Sequence, residues 1–309
     1  MNIKVENLVK KYGTQRALDG VSFEVHSGEI LGFLGPNGAG KTTTMKILTC
    51  FMSPTEGDVR VGNYSVRHDA EYIKQRIGYL PEHNPLYTDM PVIEYLRFAA
   101  AIQGVANNQI QDRIREMVRL CGLDKEKHKN IGELSKGYRQ RVGLAQAMIH
   151  NPEILILDEP TTGLDPNQII EIRELIRELG KEKTVIFSTH ILPEVEATCD
   201  RVLIINEGKI VADGAPAELR KQASGAEVSR ICIEDAPTND AVFAALRNLD
   251  MVATVDFDQA NGKFIVESKH GASARRAIFQ VCSANNWIIT ELSPIERDLE
   301  DVFRNVTVG

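Results

Sequence analysis

The run Gly35-Pro36-Asn37-Gly38-Ala39-Gly40-Lys41-Thr42 constrains this chain more than any other stretch. Glycines at these spacings let successive backbone N–H groups wrap phosphate oxygens. The lysine then reaches the β- and γ-phosphates, and the threonine hydroxyl ligates Mg²⁺. The flanks give the pattern its weight. The apolar run Glu29-Ile30-Leu31-Gly32-Phe33-Leu34 reads as a buried parallel strand entering the loop. After the loop, Thr42, Thr43 and Thr44 open a segment through Leu48 with a helical apolar stripe, which sets the phosphates on a helix N-terminus.

Other patterns support an α/β chain of two domains. Short strands are predicted at Ile3 to Leu8, Val21 to Val25 and Asp58 to Val61. A helical insertion spans about 88–150: Pro91 opens one helix that Gly104 ends, Ile110, Ile114, Met117, Val118 and Cys121 stripe a second, and a third follows Ser135. Strands return at Glu153 to Leu157 and Lys183 to Ser188, with a helix from Pro166 to Leu179 between them. The polar stretch Lys221-Gln222-Ala223-Ser224-Gly225 reads as a linker. This divides the chain into 1–222 and 223–309. The second part shows a βαββαβ order, which suggests a small α+β ferredoxin-like domain closed by a short helix from Pro294 to Asn305.

Charge and composition narrow the function classes. With 36 basic and 43 acidic residues among 309, the net charge of −7 argues against a nucleic-acid partner. No apolar stretch approaches the roughly 20 residues of a spanning helix, and the start lacks an apolar signal core. Five cysteines without a CxxC pair read as reduced core residues, with no zinc or disulfide framework.

Chemistry-bearing residues recur at strand ends. Leu155-Ile156-Leu157-Asp158-Glu159 is an apolar strand closing on two carboxylates, where parallel sheets bind ligands. Asp158 would hold Mg²⁺ through water, and Glu159 would polarise the attacking water as general base. His190 ends another such strand; a lone histidine there has a structural reading too, but parallel packing would bring Gly35, Asp158 and His190 together. Ser135 in Leu134-Ser135-Lys136-Gly137-Tyr138 reads as a helix N-cap, whether or not it also meets a phosphate.

These pieces, in this order, resemble the ATP-binding cassette (ABC) family over roughly residues 1–220. The resemblance implies a P-loop ATPase fold, ATP and Mg²⁺ as ligands, and a head-to-tail dimer of two copies with two ATPs between them. It implies that Tyr12 stacks on adenine and that Ser135 and Gly137 of the signature close over the γ-phosphate in the other copy. It further implies that His190 contacts γ-phosphate and that Gly163-Leu164-Asp165 is the D-loop. Two positions depart from the family pattern: Lys136 and Tyr138 replace glycine and glutamine, and Glu82 replaces the loop glutamine that senses Mg²⁺. A carboxylate can accept from metal-bound water but cannot donate. Both departures resemble the ATPases serving ABC-2-type exporters. Gly78 to Tyr87, Leu134 to Arg141 and Leu299 to Phe303 look most like the gliding-motility-associated members.

The expectation is therefore an ATP-hydrolysing subunit, cytoplasmic and peripheral on the inner face of the membrane, that drives separate permease subunits. The alternatives are a soluble ABC ATPase of translation or DNA maintenance, and a degenerate module without turnover. The single phosphate loop and the absence of sustained heptads between Lys41 and Asp158 weigh against the first alternative. The presence of Asp158, Glu159 and His190 together weighs against the second.

Overall fold

A computed structural model describes residues 1–223, 227–259, 261–269, 271–295, 300 and 302–304. Two compact units divide between Pro216 and Ala217.

The first unit is built on two sheets. One is antiparallel, ordered β2-β1-β4-β5, from β1 (Ile3–Tyr12), β2 (Gln15–Val25), β4 (Glu56–Val61) and β5 (Tyr64–Ser65). The other has six strands ordered β10-β9-β3-β8-β7-β6. These are β3 (Ile30–Leu34), β6 (Ile77–Leu80), β7 (Ile154–Asp158), β8 (Thr184–Thr189), β9 (Arg201–Asn206) and β10 (Lys209–Gly214). All its neighbours pair in parallel except β10, which returns antiparallel on β9. The central strands β3, β7 and β8 are buried along their whole length, as continuous apolar runs should be when both faces are covered. Alternation splits each strand between two cores. Ile154 and Ile156 join the core shared with α1 (Lys41–Leu48) and the antiparallel sheet, whereas Leu155 and Leu157 join the core on the helical side.

The helical side contains α3 (Val92–Ile102), α4 (Ile110–Leu120), α5 (Lys136–Met148) and α6 (Pro166–Gly180). In α4, Ile110, Ile114, Met117 and Val118 are buried, which makes the 3.6-residue stripe read from sequence the packed face. Asp165 caps α6 by accepting from the Gln168 N–H at 3.0 Å, with Pro166 in the first turn. Short helices α2 (Ala70–Lys74) and α7 (Leu192–Thr198) complete the unit, and α8 (Pro216–Ala223) stands at the division.

The second unit has its own core around Ile231, Phe264, Val266 and Ile278. Its order is β11 (Val228–Glu234), α9 (Asn239–Arg247), β12 (Val252–Asp258), β13 (Lys263–Ser268), α10 (Arg275–Ala284) and β14 (Ile288–Ile295). The sheet is antiparallel and ordered β12-β13-β11-β14.

Several sequence expectations need correction. Lys221 to Ala223, read as linker, form the last turn of α8, because the helix started by Pro216 meets no breaker there; Ser224 and Gly225 lie outside the described residues. Pro294 belongs to β14, opposite Ser229, not to a closing helix. Of that helix, Val302 to Arg304 are helical, and most of the rest lies outside the described residues. Strands β1 and β2 run further toward their shared turn than their apolar patterns showed. The pattern reading also named no strands at β6, β9 or β10.

Candidate functional site

The phosphate loop joins β3 to α1 with a backbone that needs glycine. Gly40 has φ 114° and Gly38 φ 82°, a region that side chains strongly disfavour. A Cβ on Gly40 would also stand 2.8 Å from the Ala17 carbonyl oxygen. Gly40 is the N-cap of α1, no side chain caps the helix, and its first turn holds no acid. Its leading N–H groups and positive dipole end are therefore available to an anion.

Lys41, only 6% exposed, donates to the carbonyls of Gly35 at 2.7 Å and Pro36 at 3.3 Å. Its Nζ is 3.4 Å from Glu159 Oε1. Thr42 donates its hydroxyl to Asp158 Oδ1 at 3.3 Å, and Ser188 donates to the same oxygen at 2.6 Å. Asp158 Oδ2 is buried without a hydrogen-bond partner. Burial pushes the Asp158 carboxyl above its ordinary range, the charges of Glu82 and Glu159 push the same way, and the Ser188 and Thr42 hydroxyls oppose the shift.

Glu159 follows at the end of β7 with φ 50° and is 6% exposed. Its Oε2 meets His190 Nδ1 at 2.9 Å and accepts from Thr162 Oγ1 at 3.2 Å. A buried carboxylate touching both an exposed imidazole and the loop lysine can take a proton from a water and pass charge toward a phosphate. The lone histidine is thus joined directly to the acid.

A cleft of 330 Å³ gathers Asn37, Gly38, Gly40, Lys41, Thr42, Thr43, Glu82, Glu159 and His190. Asp158 adjoins it through its bond to Thr42, while Gly35, Pro36 and Ala39 form the first half of the loop. Ala17, Thr162 and Ser188 take part without having been singled out from sequence. Thr162 lies three residues after Glu159 and offered a local signal, but Ser188 is visible only through the parallel pairing of β8 with β7.

Three expected residues lie apart from this cleft. Tyr12, 47% exposed as a residue, sits at the end of β1 with Lys10 Nζ 5.5 Å from its ring centroid and its hydroxyl 3.0 Å from Met52 Sδ. Ser135 caps α5, accepting from the Tyr138 N–H at 3.4 Å. Gly137 packs so closely on Gln168 that a Cβ would stand 2.6 Å from its side chain, and Lys136 lies directly against Gly163. The signature segment and the D-loop are therefore neighbours on one surface.

A metal at this centre would find few protein ligands. No group of three or more His, Cys, Asp or Glu side chains among the described residues is placed to hold an ion. The hydroxyl of Thr42 and the unpartnered Asp158 oxygen instead suit Mg²⁺, which keeps several waters and takes its other ligands from phosphates.

The chain matches the family model described as ABC transporter over residues 18–162, from within β2 to just past Glu159. It is 31% identical over 306 residues to the linearmycin resistance ATP-binding protein LnrL of Bacillus subtilis, covering 99% of this chain and 98% of the relative. The chain belongs to the ABC transporter family. It is 41% identical over 222 residues to the bacitracin transport ATP-binding protein BcrA of Bacillus licheniformis, covering 71% of this chain and 72% of that one. A solved dimeric structure of the ATP-binding cassette MJ0796 in a post-hydrolysis state, bound to ADP and Pi, superposes with a TM-score of 0.63. That match has 25% identity and covers 69% of this chain and 98% of the other. This ABC protein is an ATP-binding, ATP-hydrolysing transporter subunit. Among its described residues, no helix is long and apolar enough to cross a membrane.

Proposed function

We propose that this chain is the Mg²⁺-dependent ATPase subunit of an ABC-2-type exporter, closing as a head-to-tail pair over two ATPs to drive separate permease subunits. The observation that carries the catalytic part is the convergence of Lys41, Thr42, Asp158, Glu159 and His190 on one cleft. Lys41 and the loop N–H groups bind the phosphates. Thr42 and Asp158 would hold Mg²⁺, which would supply positive charge against the bound phosphates. Glu159 takes the proton of the attacking water, oriented by His190, which also reaches the γ-phosphate. Tyr12 supplies a partly exposed ring for adenine, and Ser135 and Gly137 serve the partner's nucleotide from outside the chain's own cleft.

Export is supported by the relatives, whose names concern linearmycin resistance and bacitracin transport. Gliding motility, suggested by the wording of Gly78 to Tyr87 and Leu134 to Arg141, is the narrower pathway reading. The membrane protein that co-purifies with the chain decides between the two, and its location tests a peripheral place on the inner membrane face. Glu82 lines both the nucleotide cleft and an adjoining 770 Å³ groove with His83, Asn84 and Pro85. That position supports a role for Glu82 in coupling the nucleotide site to the membrane subunits.

We infer two domains, the first with a helical subdomain at about 88–150, with the expected 222/223 boundary moved to the start of α8. The ferredoxin-like reading of the second is supported by its βαββαβ order and by a sheet in which the first and third strands are central neighbours.

The test of the catalytic reading is Glu159→Gln. ATP binding should persist while turnover falls about 10²–10⁴-fold, and an ATP-bound dimer should accumulate in gel filtration. Near-normal turnover rejects Glu159 as the base.

A further inference from the structure

We infer that Ser188 is a positioning residue of the ATPase site, its hydroxyl aiming Asp158 at the metal and holding the backbone of Glu159. The inference rests on the reading of Asp158 as the metal-binding acid and Glu159 as the base. It adds a residue of the neighbouring strand that neither reading requires.

Ser188 is fully buried on β8, directly opposite Asp158 in the parallel register. A hydroxyl has one proton to give and two lone pairs to offer. Here the proton goes to Asp158 Oδ1 at 2.6 Å, and a lone pair receives the Glu159 N–H at 3.0 Å. One side chain therefore holds two consecutive acids through opposite hydrogen-bond roles.

The consequence for Asp158 is orientation. Ser188 and Thr42 both donate to Oδ1, so rotation of the carboxylate is restrained and Oδ2 is left buried with no protein partner. That is the oxygen a metal-bound water would meet. Residues one bond removed from a metal commonly govern its affinity in this way, by fixing the ligand's orientation.

The consequence for Glu159 concerns the main chain. Its φ of 50° is left-handed, which is strained for a residue with a side chain and persists only when neighbours over-determine it. Its N–H is claimed by both the hydroxyl and the carbonyl oxygen of Ser188, the latter at 3.2 Å. This turn directs the Glu159 carboxylate toward Lys41 and His190. Without the hydroxyl, the longer carbonyl contact alone would hold the N–H, and the carboxylate of Asp158 would keep only the 3.3 Å bond from Thr42.

The test uses the full chain and the variants Ser188→Ala, Ser188→Cys and Asp158→Asn. Binding of a fluorescent ATP analogue is measured in EDTA and in Mg²⁺, and Mn²⁺ affinity of the nucleotide-loaded protein is measured by electron paramagnetic resonance. Ser188→Ala should bind the analogue in EDTA within about twofold of the parent, which also shows that it is folded. Its Mn²⁺ affinity should fall about 10–100-fold, and its kcat should fall with a rightward shift of the Mg²⁺ dependence. Ser188→Cys keeps a weaker, somewhat bulkier donor at the site, carries the same expectation, and serves if the alanine variant folds poorly. Parental Mn²⁺ affinity in the folded serine variants, with the affinity lost in Asp158→Asn, overturns the role of Ser188 alone. Parental affinity in all three overturns the underlying assignment of Asp158.

Discussion

Replacing Asp158 by asparagine should make the nucleotide-free protein more stable. One oxygen of this buried carboxylate has no partner, and the side chain is held near the acids Glu82 and Glu159. Leaving a buried polar group unsatisfied costs about 1–3 kcal/mol, more when it is charged. Asparagine leaves a polar amide at the same unsatisfied position and removes only the charge and its repulsion by the two acids, a gain of about 1 kcal/mol, which moves the midpoint of a unit of this size by roughly 2–4 °C. The pH dependence gives the sharper signature. Burial raises the folded-state pKa of Asp158 above its unfolded value. The stability of the protonated form is therefore complete below the unfolded value of about 3.9 and is lost as pH rises through the folded pKa. The advantage of Asp158→Asn should thus be fully present at pH 7 and shrink toward pH 4. Differential scanning calorimetry of the metal-free, nucleotide-free proteins between pH 4 and 8 measures it. Added Mg²⁺ and ATP should then stabilise the parent more than the variant, because a ligand bound only by the folded state stabilises it by mass action. An asparagine variant less stable than the parent at pH 7, or a difference independent of pH, would refute the argument that the site holds this charge at the expense of stability.

Gly40→Ala should lose ATP binding and about 1–3 kcal/mol of stability, since φ 114° and the nearby Ala17 carbonyl both resist a Cβ. Urea midpoints and nucleotide titration check the two effects separately. Mixing Lys41→Ala with Ser135→Ala should restore turnover in mixed dimers if the signature serves the partner's nucleotide; dimers that form without recovery count against the composite site. Ile278→Ala, in the core of the second unit, should cost about 2–5 kcal/mol in that unit's unfolding while ATP binding by the first unit stays within twofold. A coincident drop in nucleotide affinity would show that the two cores are not energetically separate.

The phosphate loop is legible in its residues alone, because its glycines, lysine and threonine act through backbone geometry local to eight residues. So are the central strands β3, β7 and β8, whose apolar runs match burial on both faces, and the amphipathic face of α4. The acids Asp158 and Glu159 were legible because a strand's end is visible in its own residues. Edge elements were less so. β10, at the sheet edge and paired with β9, alternates exposed and half-buried residues, so its stability comes from pairing more than from a pattern. Lys221 to Ala223 look like a linker by composition but continue a helix already started.

How distant strand ends meet depends on long-range packing. The register of β8 on β7 puts Ser188 beside Asp158 and carries His190 to within 2.9 Å of Glu159. No spacing along the chain encodes those contacts, because parallel neighbours are joined through a helix and their alignment is fixed by packing across the sheet. The left-handed turn at Glu159 is likewise a product of its neighbours: its own side chain disfavours it, and hydrogen bonds from the adjacent strand hold it there.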